Sequence, residues 1–577
     1  MQAGGSSISQ SRVKRAPIGI LLASAVAASL MAAPARAATA TVVVLGPAIK
    51  IRPTDLPTGP GDATIFAAKN EFESFQVVTE AGGSPVDGLN VTLLAPLSGP
   101  GGTIPADHVT IYREGYYNVV TPSDPEGDAG LWPDPLIPSV DPWYHQSRTA
   151  FPIDVPAGEN RVAWIDVQVP PRQAAGEYDG SILVSSSGGL SVTVTVALTV
   201  LNVSLPSTAS LPSFFGMSWY GACPAFYGAG DYCVSHIEDG WRLKALFEQA
   251  ALDDRLTISY PQYQPLSSDP RQLPLFEQYT LPLLNGTAPT RLAGARISAI
   301  QLDGGAFTSY WKQEAQAKGF AARGYFYVCD EPHTWPDAWA VCDANAAAVK
   351  AAWPKANVLI TASIDDVNAM GEESLLDTMV PVINEMEPKN DRNHRPDYEP
   401  WLGLSARNRL WMYTSCESEG CSDAPPDDPG GIGWAGYAID QPASEARAMG
   451  WLPFTYTATA ELYYRVDLML ATAWTDSFAN GGNGDGTLFY PGTPDMVGGT
   501  DPIPIESMRM KLFRDGREDY EYLRFLQRHG QGAQAQAIAV SLFPATYDTD
   551  RTDGDVAGAR TALADLIVSI VGGPGPP

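Results

Sequence analysis

The 577-residue chain predicts a multidomain protein of the α/β plus β class: an N-terminal β-sandwich, then a (β/α)8 barrel of the TIM type, then C-terminal helices. Three observations carry this. From Thr41 to about Leu205, short segments alternate apolar and polar residues between Gly/Pro turns, the period of a half-buried antiparallel strand. From residue 212 onward, short apolar runs alternate with longer amphipathic stretches, the texture of repeated βα units. The length also exceeds what one hydrophobic core usually supports.

The clearest sandwich strand is Ser191 to Val200, where Val192, Val194, Val196, Leu198 and Val200 share a face. Phe72 to Thr79, Asn90 to Leu94, Val162 to Val169 and Ser181 to Val184 read the same way. Proline and serine break the pattern between Leu205 and Pro212. Eight candidate parallel strands follow: Phe214 to Trp219, Leu256 to Tyr260, Arg296 to Leu302, Gly324 to Cys329, Asn357 to Ala362, Met379 to Asn384, Arg409 to Thr414 and Glu461 to Val466. Eight is the number a closed barrel needs, an open doubly wound sheet being the alternative. Helices are expected over Glu238 to Asp253, Ser309 to Ala322, Trp335 to Ala352 and Gln441 to Thr457. After Pro504, the residues Ile505, Met508, Leu512, Tyr520, Leu523 and Leu526 predict a helix with one apolar stripe, and Val556 to Val571 a second, both packed outside the barrel. The domain boundaries expected are 1–37 for a signal peptide, 38–205 for the sandwich, 212–500 for the barrel and 501–577 for the helical extension.

Arg12, Lys14 and Arg15, the apolar stretch Ile18 to Met31 and the small-residue pattern Ala35-Arg36-Ala37 predict the signal peptide, hence a secreted, periplasmic or cell-surface protein. No later run reaches the ~20 apolar residues of a membrane span. Removing residues 1–37 takes away four cations and no acids, so the 37 Lys+Arg fall to 33 against 65 Asp+Glu, a net charge of −32. That surface repels phosphate backbones and anionic lipid and argues against a nucleic-acid partner, while it is compatible with a glycan. The sequence carries no signal for an oligomeric state. Six cysteines in an exported chain predict disulfides, and the short separations favour Cys223 with Cys233, Cys329 with Cys342 and Cys416 with Cys421. No metal or cofactor is expected.

Asp330, Glu331 and Pro332 end the apolar run Gly324 to Cys329, which puts two adjacent carboxylates at the C-terminal mouth of the fourth strand, where such a barrel keeps its chemistry. Glycosidic cleavage needs an acid for the departing oxygen, and Glu331 is the candidate acid/base. Pro332 biases it toward extended backbone, and Tyr325 and Tyr327 at the same parity would partly desolvate it. Neighbouring residues lie ~3.8 Å apart along the backbone and cannot easily flank a sugar as acid and nucleophile do. The nucleophile is then another side chain or the substrate's own 2-acetamido oxygen, with Asp330 steadying the acetamido nitrogen.

The stretch Gly324 to Pro332, the segment Leu410 to Cys416, Ile439-Asp440-Gln441-Pro442 with Arg447 and Trp451, Gly484 to Gly492, and Arg514 to Leu523 together resemble glycoside hydrolase family 123 and the related domain-of-unknown-function 4091 proteins. The resemblance implies a retaining, substrate-assisted exo-β-N-acetylgalactosaminidase-like enzyme with Asp330 on the acetamido group and Glu331 as acid/base. Glu461-Leu462-Tyr463-Tyr464, where relatives carry glycine and a tryptophan-rich run, and Cys329 before the acid pair depart from the family pattern.

Aromatic residues at strand ends could stack on sugar rings: Trp219, Tyr260, Trp335, Tyr413 and Trp474 are the candidates. Glu461 is the alternative nucleophile, although it opens its strand at the opposite end of the barrel. Asp365 and Asp366 could bind hydroxyls or cap a helix, and His333 could assist a leaving group or lie in a surface loop. Asp548 to Asp555 reads as a solvated turn and not a calcium loop. The competing functions are a barrel glycosidase on another glycan, pairing Glu331 with a distant carboxylate, and a carbohydrate-binding surface protein without turnover.

Overall fold

The computed structural model describes residues 40–218, 222–258, 271–334, 337–371, 374–421 and 433–577. In the N-terminal part, Ala40–Leu45, Phe72–Ala81, Asn160–Gln168, Val109–Val119 and Gly130–Pro138 pair antiparallel in that spatial order. A second sheet orders Ala63–Lys69, Ser191–Ser204, Gly176–Ser185, Val86–Gly99 and Gly102–Thr103, its first pair parallel. Phe75, Val77, Ile165 and Val167 from the first sheet share one core with Ile65, Ile182, Val194, Val196 and Leu198 from the second. The alternation read in Ser191 to Val200 is therefore the inner face of a strand. Immediately beyond, Leu201 and Val203 turn to the larger core shared with the rest of the chain.

All eight candidate parallel strands carry parallel pairing. Ile300–Gln301, Gly324–Asp330, Asn357–Thr361, Thr378–Met379 and Arg409–Leu410 form a five-stranded sheet, and Ser213–Phe215, Glu461–Tyr463 and Met412–Tyr413 a three-stranded one. Single parallel bridges, Val382 to Tyr413 and Phe215 to Ile258, extend the ladders. Between Ile258 and Ile300 the link among described residues is made by side chains: the Thr257 and Ser298 hydroxyls lie 2.8 Å apart and Ser298 N donates to Thr257 Oγ1. Phe214, Ala299, Tyr325, Leu359, Val380, Trp411 and Leu462, one or more from nearly every strand, pack together as an interior layer. Tyr325 thus sits below the mouth, edge-on to Phe214 and Trp411, and does not flank the acid pair.

The helices Ile237–Asp253, Thr308–Ala317, Ala338–Ala352 and Ala443–Thr455 fall where expected. The C-terminal region departs from expectation. Ile503–Glu506 is a strand paired with Phe489–Gly492, so Ile505 is not helical, and the helix begins at Met508, capped by Ser507 Oγ on Met510 N. Met508–Arg528 is also not a one-stripe surface helix: it is buried around nearly its whole circumference from Met508 to Leu523, because its charged residues meet counter-charges on neighbouring elements. It crosses Ala443–Thr455 at Gly450 and Gly516, where a β-carbon on either glycine would overlap the other helix's backbone. Asp553–Val571 starts with a Thr552/Asp555 capping box, which accounts for part of the acidic run before it.

Gly516→Ala is expected to destabilise the protein by about 3 kcal/mol or more, since rigid backbone faces the added methyl, and a urea unfolding midpoint checks it. Glu114 is buried on Val109–Val119 with no hydrogen-bond partner for either carboxylate oxygen among described residues, and burial pushes its pKa from 4.5 up to about 8. Raised above its unfolded value, its contribution to stability is fully present below about 4.5 and lost as pH rises through about 8. Glu114→Gln should flatten that decline and raise the unfolding free energy at pH 8, measured by urea titrations across pH 4.5–8.5.

Candidate active site

Strand Gly324–Asp330 ends in the acid pair, and the end is fastened from two sides. The Cys329–Cys342 disulfide ties it to helix Ala338–Ala352, and Glu331 N donates to Thr361 Oγ1 on the next strand at 3.0 Å. All three expected disulfides are formed. Glu331 is not extended, as the following proline suggested, but has φ +40°. Its carbonyl accepts from Thr334 N and Oγ1, so the strand rolls at once into a turn whose hydrogen bonds hold this sparsely populated conformation. The consequence is geometric. Successive side chains of a strand point to opposite faces, and the left-handed residue breaks that alternation, so that Asp330 and Glu331 both line one cleft of about 770 Å³.

Each carboxylate is held by one oxygen. Asp330 Oδ1 accepts from Tyr327 OH at 2.5 Å and Thr361 Oγ1 at 3.1 Å. Glu331 Oε1 accepts from Tyr413 OH and, at 2.5 Å, from Ser418 Oγ. Burial first, and then the neighbouring carboxylates, push the Tyr327 and Tyr413 phenols well above their ordinary range, so both stay protonated and act as donors. Ser418 sits on the short turn Cys416–Glu419, capped by Ser415 and closed by the Cys416–Cys421 disulfide. Asp485 braces that turn from behind, accepting from Cys416 N, Tyr463 OH, Tyr464 OH and Asn480 Nδ2. Glu417 also lines the cleft, its pKa raised by burial and then by Asp485, Asp330 and Glu331.

Of the other candidates, Tyr413 is at the site, though buried and engaged through its hydroxyl. Trp474 lies elsewhere: its Nε1 donates to Pro491 O and its ring packs on Tyr490, within a cluster that includes Ile137 and Ala150. Trp219, Tyr260 and Trp335 lie outside the described residues. Glu461 is buried at the start of its strand, paired with Arg517 and bonded by Tyr437 OH, and does not reach the cleft. Asp366 works as a helix-start residue, exchanging hydrogen bonds with Ser363 ahead of Ile364–Met370. His333 lies 3.8 Å from Asp366 and 4.0 Å from Glu385, whose pKa is pushed up to about 7 by burial, then Asp366 and Glu331. Those three could gather around a cation, as could Asp231, Cys233 and His236, but Cys233 is spent in a disulfide. Reading the sequence missed Thr361, Ser418, Asn480 and Arg465. A polar residue at a strand's end was the available signal for Thr361, and two cysteines closing a five-residue loop the signal for Ser418.

No protein-family model matches the chain, and no curated protein matches it. Among solved structures, a family 123 glycoside hydrolase from Clostridium perfringens, described in terms of glycolipid glycan hydrolysis, superposes with a TM-score of 0.68 over 92% of this chain and 99% of its own, at 13% identity. A family 39 glycoside hydrolase from Bacteroides cellulosilyticus matches over 79% of this chain and 81% of its own at 9% identity, but its TM-score of 0.31 carries no argument. The chain therefore shares the whole fold of a family 123 glycoside hydrolase.

Removing the Glu461 carboxylate strands the Arg517 guanidinium in the interior. Glu461→Ala should cost about 3–5 kcal/mol, read as a drop in the urea midpoint.

Proposed function

We propose that the protein is an exported retaining glycoside hydrolase that cleaves a terminal β-linked 2-acetamido sugar, N-acetylgalactosamine-like, by substrate assistance. The two parallel sheets would then be one (β/α)8 barrel following a β-sandwich. The observation that carries the reading is the asymmetric holding of two adjacent carboxylates in one cleft. Glu331 Oε1 is occupied by two hydroxyl donors, which leaves Oε2 to carry the proton toward the glycosidic oxygen. Asp330 Oδ1 is likewise occupied by Tyr327 and Thr361, which leaves Oδ2 to accept the acetamido N–H. In the first step the acetamido oxygen bonds to the anomeric carbon, the glycosidic C–O bond breaks, and the Glu331 proton moves to the leaving oxygen. In the second, Glu331 takes a proton from water as that water bonds to the anomeric carbon and the cyclic intermediate reopens.

Glu461 is disfavoured as a conventional nucleophile by its position, sealed behind Arg517 and Tyr437. The shared fold with a family 123 enzyme is consistent with the reading.

The test uses aryl 2-acetamido-β-galactosides with good and poor leaving groups. Glu331→Gln should lower turnover of the poor leaving group by about 10²–10⁴-fold and spare the activated one. Asp330→Asn should damage both. Near wild-type turnover of the activated substrate by Asp330→Asn would remove its assigned role, and plain galactosides cleaved equally well would remove the acetamido mechanism.

A further inference from the structure

Arg465 is the single cation among the described residues that line the cleft, which also holds the carboxylates of Asp330, Glu331 and Glu417. It follows Glu461–Tyr463 by two residues and so stands at the same end of the parallel strands as the acid pair. Its placement is built. Nε donates to Asp467 Oδ1 at 2.7 Å, and Asp467 is buried and fixed by Ser218 N, which donates to both of its oxygens at 3.1 and 3.2 Å. The Arg465 side chain is one-third exposed, and its two terminal amino groups have no protein acceptor among described residues. It forms no ion pair with Glu417, although both line the same cleft.

An arginine oriented through Nε presents a planar edge of two N–H groups, the geometry that matches an oxyanion. The surrounding field works the other way: a chain of net charge −28 with three carboxylates in its cleft repels anionic ligands everywhere except at a local cation. A neutral sugar needs hydroxyl partners, which uncharged polar groups supply without the cost of holding a charge beside acids. We infer that Arg465 is a specificity-determining residue that binds an oxyanion carried by the glycan, either a sulfate ester on the 2-acetamido sugar or the carboxylate of an adjoining acidic sugar. This rests on the glycan-cleaving reading above. It adds an anionic substituent to the substrate class.

The experiment measures kcat/KM of the full-length protein on an aryl 2-acetamido-β-galactoside, its 4-sulfate and 6-sulfate, and a disaccharide bearing a neighbouring uronate. It repeats this for Arg465→Gln and Arg465→Lys. At least one anionic substrate should be preferred over the neutral one by about 10- to 100-fold. The preference should be expressed mainly in KM and weakened by salt, should collapse in Arg465→Gln, and should return in part in Arg465→Lys. The anionic substrate that shows it identifies the source of the oxyanion. Equal or poorer use of every anionic substrate, or a preference that survives in Arg465→Gln, overturns the inference and leaves the glycosidase reading intact. If no 2-acetamido glycoside turns over, the functional reading fails by itself. Calorimetric binding of the same sulfated and unsulfated sugars then decides: tighter binding of the sulfated form, lost in Arg465→Gln, upholds the oxyanion site, and its absence refutes it.

Discussion

The architecture depends on the charged face of one buried helix. Along Met508–Arg528, Arg509 grips Asp134 through two nitrogens at 2.9 and 2.8 Å, Lys511 meets Asp254 and Glu506, and Arg514 meets Asp166 through two nitrogens. Further along, Arg517 meets Glu461, Glu518 meets Arg255, and Asp519 meets Arg447, Trp451 Nε1 and Arg560. The partners come from two strands of the first N-terminal sheet, from the end of Ile237–Asp253, from the last parallel strand, from Ile503–Glu506, from Ala443–Thr455 and from the final helix. Buried pairs of this kind contribute little net stability, because desolvation offsets much of the attraction. What they supply here is register: a shift of the helix by one residue would strand several charges at once in a dry interior, each costing several kcal/mol. The close crossing at Gly450 and Gly516 sets the depth at which the helix lies.

This lattice reaches the site through the last parallel strand. Arg517 fixes Glu461 at the strand's beginning, and the same strand delivers Tyr464 and Arg465 to the cleft at its end. Asp440 works in the same way from another direction, accepting from Ser123 N and Oγ and from Asn483 Nδ2, so that the N-terminal loop is joined to the segment carrying Asp485. Several motifs that prompted the family resemblance, those around Asp440, Arg447, Asp485 and Arg514, are thus braces and not chemistry. A match to them is informative about the scaffold, and the substrate has to be argued from the residues that face the cleft.

The strands and the acid pair were legible because their signals are local: period-two alternation in Ser191 to Val200, apolar runs ending in polar residues, and a dicarboxylate at the end of Gly324 to Cys329. Cysteine pairing was legible for the same reason, each bridge closing a short loop. The helix at Met508 reads as a surface helix because a charged face normally means solvent, and nothing local announces that Asp134, Asp166 and Glu461 wait some fifty to several hundred residues away. The left-handed Glu331 was hidden by its own proline, which biases the preceding residue toward extended backbone; the hydrogen bonds of Glu331 N to Thr361 Oγ1 and of Thr334 to the Glu331 carbonyl hold the other conformation. Ser418 and Arg465 needed three-dimensional neighbours, as residues of a site assembled from separate strand ends do.

The left-handed turn also resolves the difficulty posed by adjacent acids. Two carboxylates on consecutive residues of a regular strand would face opposite sides, and one would turn away from the cleft. Rotating the backbone at Glu331 places both in one cleft, and the proposed function assigns that arrangement to a proton donor beside an amide anchor. The hydroxyls complete the division, since Tyr327 and Thr361 donate to Asp330 Oδ1, while Tyr413 and Ser418 donate to Glu331 Oε1. Each carboxylate therefore has its own pair of hydroxyl donors, and the turn at a single residue is what makes that separation possible.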